Sequence, residues 1–370
     1  MRSQLDDVLA GAVDAGLAPG VAATVQSRER VLYRGAHGIA GLANRLMQVD
    51  DSFRIASMTK LVTSVAILQL CDEGKLELDA PLRRYLPDFL QPEVLVSFDG
   101  ADGSYRTRPA SRDATIRELL SHSGGYGYWF LDEPLRQASG SSPDLINPPF
   151  LMSDPGTKFA YSSSHDVAGL AVEAVSGLPL AEFFETRIFR PLGMSQTGFA
   201  PPESSERLVQ IGVRGEEGIV FQHNEMQGQA PRGGGGLYST LDDYGLFLRC
   251  LLGTGAPLLS EESAAEVGKN QIGGLEATVQ TTVLPSRTND FIFMDGSQKF
   301  GLGVMVETRS VPGRRPLGSF GWAGIFNTYY WVDTSRGLAA TIMMQVRPFS
   351  DPGCVEVLRR FEQAVYASLG

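Results

Sequence analysis

The sequence predicts an α+β protein in which an antiparallel sheet flanked by helices is assembled from both ends of the chain. Three observations carry this expectation. Runs of strand character occur early, over 20–26 and 31–35, and return late, over 301–307, 319–332 and 338–346. Between them, residues 82–230 hold helical patches, many prolines and long polar loops. An almost wholly apolar stretch, 61–70, reads as a helix buried on every face. Strand-rich ends around a helix-rich middle imply a sheet lobe of residues 1–80 plus 231–370, with a mostly helical lobe of 81–230 inserted. At 370 residues the chain also exceeds the size at which one core usually keeps growing.

Taken in order, residues 2–16 set Leu5, Val8, Leu9, Ala12 and Val13 on one helical face, ending near Gly16. The polar turn Ser27-Arg28-Glu29-Arg30 joins the first two strands. The buried helix follows Ser57-Met58-Thr59-Lys60, and Gly74 just past it is a C-cap candidate. The charged, glycine-containing stretch 97–112 reads as a loop. Pro155-Gly156 marks a turn ahead of Tyr161 and of a helix over 166–175. Helices over 240–252 and 355–369 complete the pattern, and no internal repeat or low-complexity segment interrupts it.

Composition narrows the function. A net charge of −10 and a pI near 5.0 argue against nucleic acid or an anionic membrane as partner. The three cysteines, Cys71, Cys250 and Cys354, are odd in number and far apart, which reads as reduced thiols in a reducing compartment. The start, Met1-Arg2-Ser3-Gln4-Leu5, lacks a secretory apolar region, and no apolar stretch reaches membrane-spanning length. The expectation is a soluble cytoplasmic protein.

The chemistry begins at Ser57 and Lys60, three residues apart at the start of the buried helix, where Cβ atoms lie about 5–6 Å apart on one face. An ammonium there opposes the helix dipole and is disfavoured by burial, so Lys60 is expected as a neutral amine able to take a hydroxyl proton. The same helix terminus stabilises negative charge developing on Ser57 or on an attacked carbonyl. For Tyr161 two readings stand side by side. A nearby Lys60 cation would favour the phenolate and make it a proton carrier; alternatively it is a half-buried tyrosine with a satisfied hydroxyl. Glycines in Gly318-Ser319-Phe320-Gly321-Trp322-Ala323-Gly324-Ile325 mark close approach of a ligand or backbone. A strand edge there would offer a second N–H to an oxyanion, a donor worth about 2.7–4 kcal/mol; a bulge or tight sheet packing explains the glycines equally.

Competing chemistries find little. There is no Gly-x-Ser-x-Gly elbow, P-loop or dinucleotide fingerprint, and Gly233-Gly234-Gly235-Gly236 has the wrong spacing for either nucleotide motif. His37, His122, His165 and His223 are scattered without metal-ligand spacing. His122 reads either as a triad base or as a structural histidine bonding a loop at a helix end.

Five segments stand in the order seen in serine β-lactamase-like proteins: Ser57-Met58-Thr59-Lys60, Leu119-Leu120-Ser121-His122-Ser123-Gly124, Pro155-Gly156-Thr157 through Tyr161-Ser162, residues 233–240, and Gly321-Trp322-Ala323-Gly324. Over nearly its whole length the chain most resembles the family VIII carboxylesterases and their relatives among class C β-lactamases and lovastatin-type acyltransferases. The resemblance implies a β-lactamase/DD-peptidase-like fold with its active site between the lobes. It implies Ser57 as the acylated nucleophile, Lys60 as its base, and Tyr161 as the group that shares the proton and activates the deacylating water or alcohol. The implied oxyanion hole is the backbone N–H of Ser57 and of Ile325. Trp322-Ala323-Gly324 stands where β-lactamases carry Lys-Thr-Gly, and Ser163 replaces the asparagine that follows their tyrosine. Loss of that lysine removes the cation that pairs with a carboxylate, which favours uncharged esters. Tyr126, Tyr128 and Trp129, with Trp322, Ala323 and Gly324, are the expected lining of an acyl or alcohol site. The expected function is a serine hydrolase of short-chain or uncharged small-molecule esters, using no metal or organic cofactor. An acyltransferase, a weak β-lactamase or D-amino peptidase, and a non-catalytic ligand-binding relative remain as alternatives.

Overall fold

Two residues next to each other in one strand explain the architecture. Tyr330 sends its ring to within 5.3 Å of Tyr244, while Trp331 faces the opposite way and donates its indole N–H to the Tyr366 hydroxyl at 3.2 Å. A strand buried on both faces needs helices on both sides. In the computed structural model, which describes residues 1–89, 92–140, 143–222, 230–253 and 258–369, that is what surrounds it.

The sheet has seven antiparallel strands: β1 (Gly20–Ser27), β2 (Val31–Gly38), β3 (Lys299–Phe300), β4 (Met305–Val306), β5 (Phe320–Gly324), β6 (Thr328–Asp333) and β7 (Leu338–Met343). Their spatial order is β2-β1-β7-β6-β5-β4-β3, so the early strand β1 pairs with the late strand β7, Ala22 opposite Met343. One face is covered by α1 (Arg2–Asp14) and by a C-terminal helix, Pro352–Ala367, which also touch each other. The other face receives the helix Leu241–Cys250, which carries Tyr244.

The apolar run forms α2 (Thr59–Asp72), buried at every residue from Thr59 to Leu70 and entered through a single 3-10 turn, Ala56–Met58. Tyr244 Oη donates to the Met58 carbonyl at 3.1 Å, pinning the start of α2 from the sheet side. Its other side packs on α3 (Ser164–Ser176). A helix without a polar face is stable here because both flanks are protein.

Several expectations are corrected. The run 319–332 is a hairpin of β5 and β6, turned at Asn327, whose φ of 59° is held by amide bonds to the Val346 and Pro348 carbonyls. The run 301–307 pairs only at Met305–Val306, because the backbone N–H groups of Leu302 and Gly303 leave the sheet to reach Val267 and Leu120 carbonyls. The stretch 97–112 is not a plain loop: strands Glu93–Phe98 and Tyr105–Pro109 pair across it. A second hairpin, Gly212–Gly215 with Gly218–Phe221, is joined in parallel by Val346–Arg347. The middle segment is thus less helical than expected. Cys71, Cys250 and Cys354 are free thiols, and no single helix among the described residues is long and apolar enough to cross a membrane.

Candidate active site

Ser57 sits where the chain bends from the short strand Phe53–Arg54, which pairs with Tyr238–Ser239 apart from the main sheet, into α2. The bend places Ala56 at φ 45°, a left-handed conformation that costs a non-glycine residue of order 1–3 kcal/mol. The Ile55 N–H, held by the Leu237 carbonyl at 3.0 Å, fixes one side. Gly324 at the end of β5 fixes the other: a Cβ there would stand 2.4 Å from the Ile55 carbonyl oxygen. The glycine reading from the sequence is therefore correct as close backbone approach, and it brings Ile325 to the same cleft wall as Ser57.

Lys60 is wholly buried. Its Nζ donates to the Gly234 carbonyl at 2.7 Å and to Tyr128 Oη at 3.1 Å, and stands 3.2 Å from Ser57 Oγ. Burial lowers its pKa to about 7; Asp166 opposes the shift and Arg232 adds to it. A neutral amine has two N–H donors and one lone pair. The carbonyl and the phenol accept the two donors, which leaves the lone pair for the Ser57 hydroxyl.

Tyr161 is buried with its ring 5.1 Å from Lys60 Nζ, and its Oη accepts from Trp322 Nε1 at 3.0 Å. Burial raises its pKa above that of an ordinary phenol, against the opposing hydrogen bonds of Ser57 and Trp322. Of the two readings of Tyr161, the lowered pKa is not found: desolvation outweighs the neighbouring groups and favours the protonated phenol, which is buried rather than half-buried.

The glycine run earns its place here. Gly233 passes so close to α3 that a Cβ would lie 2.0 Å from the His165 carbonyl oxygen. Thr63 Oγ1 donates to the Gly233 carbonyl at 2.7 Å, and the Gly234 N–H donates to Asp166 Oδ1 at 2.9 Å. Asp166 is 3% exposed, its carboxyl is raised by burial, and its Oδ2 has no hydrogen-bond partner among the described residues. The loop thereby presents the Gly234 carbonyl to Lys60, a role that nucleotide-motif spacing does not reveal.

Other expected residues divide. Tyr128 and Trp129 line the Ser57 cleft, a cavity of about 110 Å³. Tyr126 does not; it faces a small void with Leu82 and Leu151 and belongs to the core. Trp322, Ala323 and Gly324 are not among the residues lining the Ser57 cleft: the Trp322 indole bonds Tyr161, Trp322 and Ala323 border a separate cavity under the C-terminal helix, and Gly324 packs on the Ile55 carbonyl. His122 takes the structural role: its Nδ1 accepts from the Ser162 backbone N–H at 3.2 Å and bonds the Ser162 hydroxyl at 3.0 Å. His37 lies 3.6 Å from Asp6, His165 approaches Ser64 at 3.4 Å, and His223 falls outside the described residues. Among the described residues no group of three or more His, Cys, Asp or Glu is placed to hold a metal ion. Sequence reasoning missed Asp166, the Gly234 carbonyl, and two arginines on the cleft wall, Arg232 and Arg287. Only the glycine run carried a signal.

A serine and a buried amine on one helical turn, beside a helix-flanked antiparallel sheet, define a serine hydrolase-type enzyme. The chain belongs to the Beta-lactamase family, whose profile matches residues 5–364. It is 29% identical to the lovastatin esterase of Penicillium rubens, covering 98% of each chain. It is also 29% identical to the monacolin J acid methylbutanoyltransferase of Aspergillus terreus, over 87% of this chain and 83% of that one. The solved structure of simvastatin synthase (LovD) from Aspergillus terreus superposes with a TM-score of 0.86 at 27% identity, covering 99% of this chain and 98% of that one. The fold is that of β-lactamases and DD-peptidases.

Proposed function

We propose that this enzyme is a carboxylic ester hydrolase of the family VIII type, working on small-molecule esters through an acyl-Ser57 intermediate. The observation that carries the reading is the Lys60 amine, fully buried, lowered to about 7 and 3.2 Å from Ser57 Oγ. In this reading Lys60 takes the Ser57 proton as Oγ attacks the ester carbonyl. The backbone N–H groups of Ser57 and Ile325 hold the oxyanion. The Tyr161 phenol protonates the departing alkoxide and recovers a proton from Lys60, and the pair then activates water for deacylation. Each transfer is assigned to a side chain, so the reading calls for no metal or organic cofactor. Of the cleft lining, Ser57 and Ile325 come from residues 1–80 plus 231–370, and Tyr128, Trp129 and Phe130 from 81–230, which supports a site between two such lobes. A cleft of about 110 Å³ favours short acyl chains. The acidic charge and the free cysteines favour a cytoplasmic location.

The decisive test is Ser57→Ala with p-nitrophenyl butyrate. Turnover should vanish while the protein stays folded; activity near that of the native enzyme refutes the assignment. A second reading, acyl transfer to an alcohol, is supported by the relative named as a methylbutanoyltransferase. Product analysis with an added alcohol separates the two, since the transferase yields a new ester where the hydrolase yields the acid.

A further inference from the structure

We infer that Arg232 and Arg287 form an anion subsite on the wall of the Ser57 cleft, and that the substrates are esters bearing a carboxylate. The inference rests on the ester hydrolase reading and narrows its substrate class.

Most arginines of this acidic chain answer a carboxylate: Arg112 with Glu118, Arg117 with Asp79, Arg214 with Asp351. Arg232 and Arg287 line the cleft with Ser57 and form no ion pair among the described residues. The Arg287 guanidinium carbon lies 5.3 Å from the ring centroids of both Trp129 and Phe130, two rings set at 88° to each other. Its Nε is buried without a hydrogen-bond partner among the described residues. Burial lowers its pKa, and the neighbouring cations Arg347 and Arg232 lower it further; only the Tyr128 phenol opposes them. A desolvated guanidinium beside aromatic rings and like charges gains most from a bound anion.

Arg232 stands close to the Ser57 turn. A Cβ placed on Gly235 would stand 3.5 Å from Arg232 Nη2 and 3.7 Å from the Ala56 carbonyl, so only the width of Gly235 separates the guanidinium from the residue preceding Ser57. The acid that senses Arg232 is Asp166, which is buried, accepts the Gly234 N–H at Oδ1 and forms no ion pair with Arg232. Arg54 also lines the cleft, but it is buried and donates to the Val209 carbonyl, so it is not part of the subsite. Trp322, standing where β-lactamases carry lysine, points to uncharged esters on the strength of the strand alone. The cleft instead draws its cations from the loops that carry Arg232 and Arg287.

Two matched substrate pairs test this. On the acyl side, mono-p-nitrophenyl glutarate is compared with p-nitrophenyl valerate; on the alcohol side, 4-(butyryloxy)benzoate with phenyl butyrate. The carboxylated member should be favoured in kcat/KM by about tenfold or more in one arm, the scale of one charge-assisted contact, and the arm identifies which half of the ester carries the anion. Arg232→Gln and Arg287→Gln should each cut that ratio several-fold, and ~0.5 M salt should lower it through screening. Ratios of one or below in both arms overturn the subsite, as does a preference that survives both substitutions. If neither member of any pair is hydrolysed, the hydrolase reading fails. The subsite is then decided by calorimetry on the Ser57→Ala protein: tighter binding of the carboxylated ester that is lost with Arg232→Gln upholds it, and equal binding removes it.

Discussion

Two buried cations in this molecule meet opposite fates. Arg315, beneath the C-terminal helix, donates from Nε to Glu362 Oε1 at 2.6 Å, and Glu362 with Glu307 raises its pKa although burial alone would lower it. Lys60, on the other face of the sheet, has its acid Asp166 out of direct contact and is instead bonded to a carbonyl and a phenol. Burial then wins, and the amine falls to about 7. The difference is one of contact: a touching carboxylate turns a buried cation into structure, whereas one held back by the Gly234 loop leaves it able to exchange a proton.

Substitutions can break or sharpen this contrast. The largest effect is expected at Lys60. Lys60→Arg should lose on the order of 10²–10⁴ in kcat/KM with p-nitrophenyl butyrate, about as much as Lys60→Ala, because a guanidinium keeps its charge and cannot accept the proton. Near-native activity of Lys60→Arg would dissolve the contrast. Glu362→Ala should act on stability instead. It takes from the buried Arg315 its 2.6 Å partner, leaving Glu307 at 4.0 Å, and should cost up to about 3–5 kcal/mol in denaturant unfolding, with p-nitrophenyl butyrate turnover by the remaining folded protein little changed. Tyr161→Phe removes a phenol bonded by Trp322 and should lower kcat by about 10²-fold or more; a change within twofold would make the residue structural.

The smallest effect concerns pH. The folded-state pKa of Lys60 is depressed to about 7, so below that value the amine carries a proton and kcat/KM should fall; above it the lone pair is free. Asp166 is the group that raises this pKa, so Asp166→Asn should move the acid limb to lower pH. A limb that stays in place, or moves up, would show that the carboxylate does not tune the amine.

What could be read from the sequence follows the reach of each physical cause. The apolar run of α2, its Ser-Lys spacing and the glycines of β5 act locally or through one close approach, and all three were legible. Which of the two Tyr161 readings holds was not, because its hydrogen-bond partner Trp322 lies far along the chain. Tyr126 and Tyr128 are two residues apart in a segment with no strand period, so nothing local told which one faced Ser57. The hairpin Glu93–Phe98 with Tyr105–Pro109 lies mostly in solvent and shows no apolar alternation to betray it. Asn327 sits between two apolar runs, and its turn draws on partners far along the chain, the Val346 and Pro348 carbonyls and the Asp351 N–H. Arg232 and Arg287, isolated arginines in loops, belong to no pattern at all.

Gly324 has a consequence for how this enzyme can change. Because a hydrogen atom is all that fits between β5 and the Ile55 carbonyl, the aperture between the Ser57 and Ile325 backbone is set by a missing side chain. Even a methyl group there would act as a wedge and widen that aperture. New substrate tastes must therefore be acquired along the loops of the rim, while this seam stays shut.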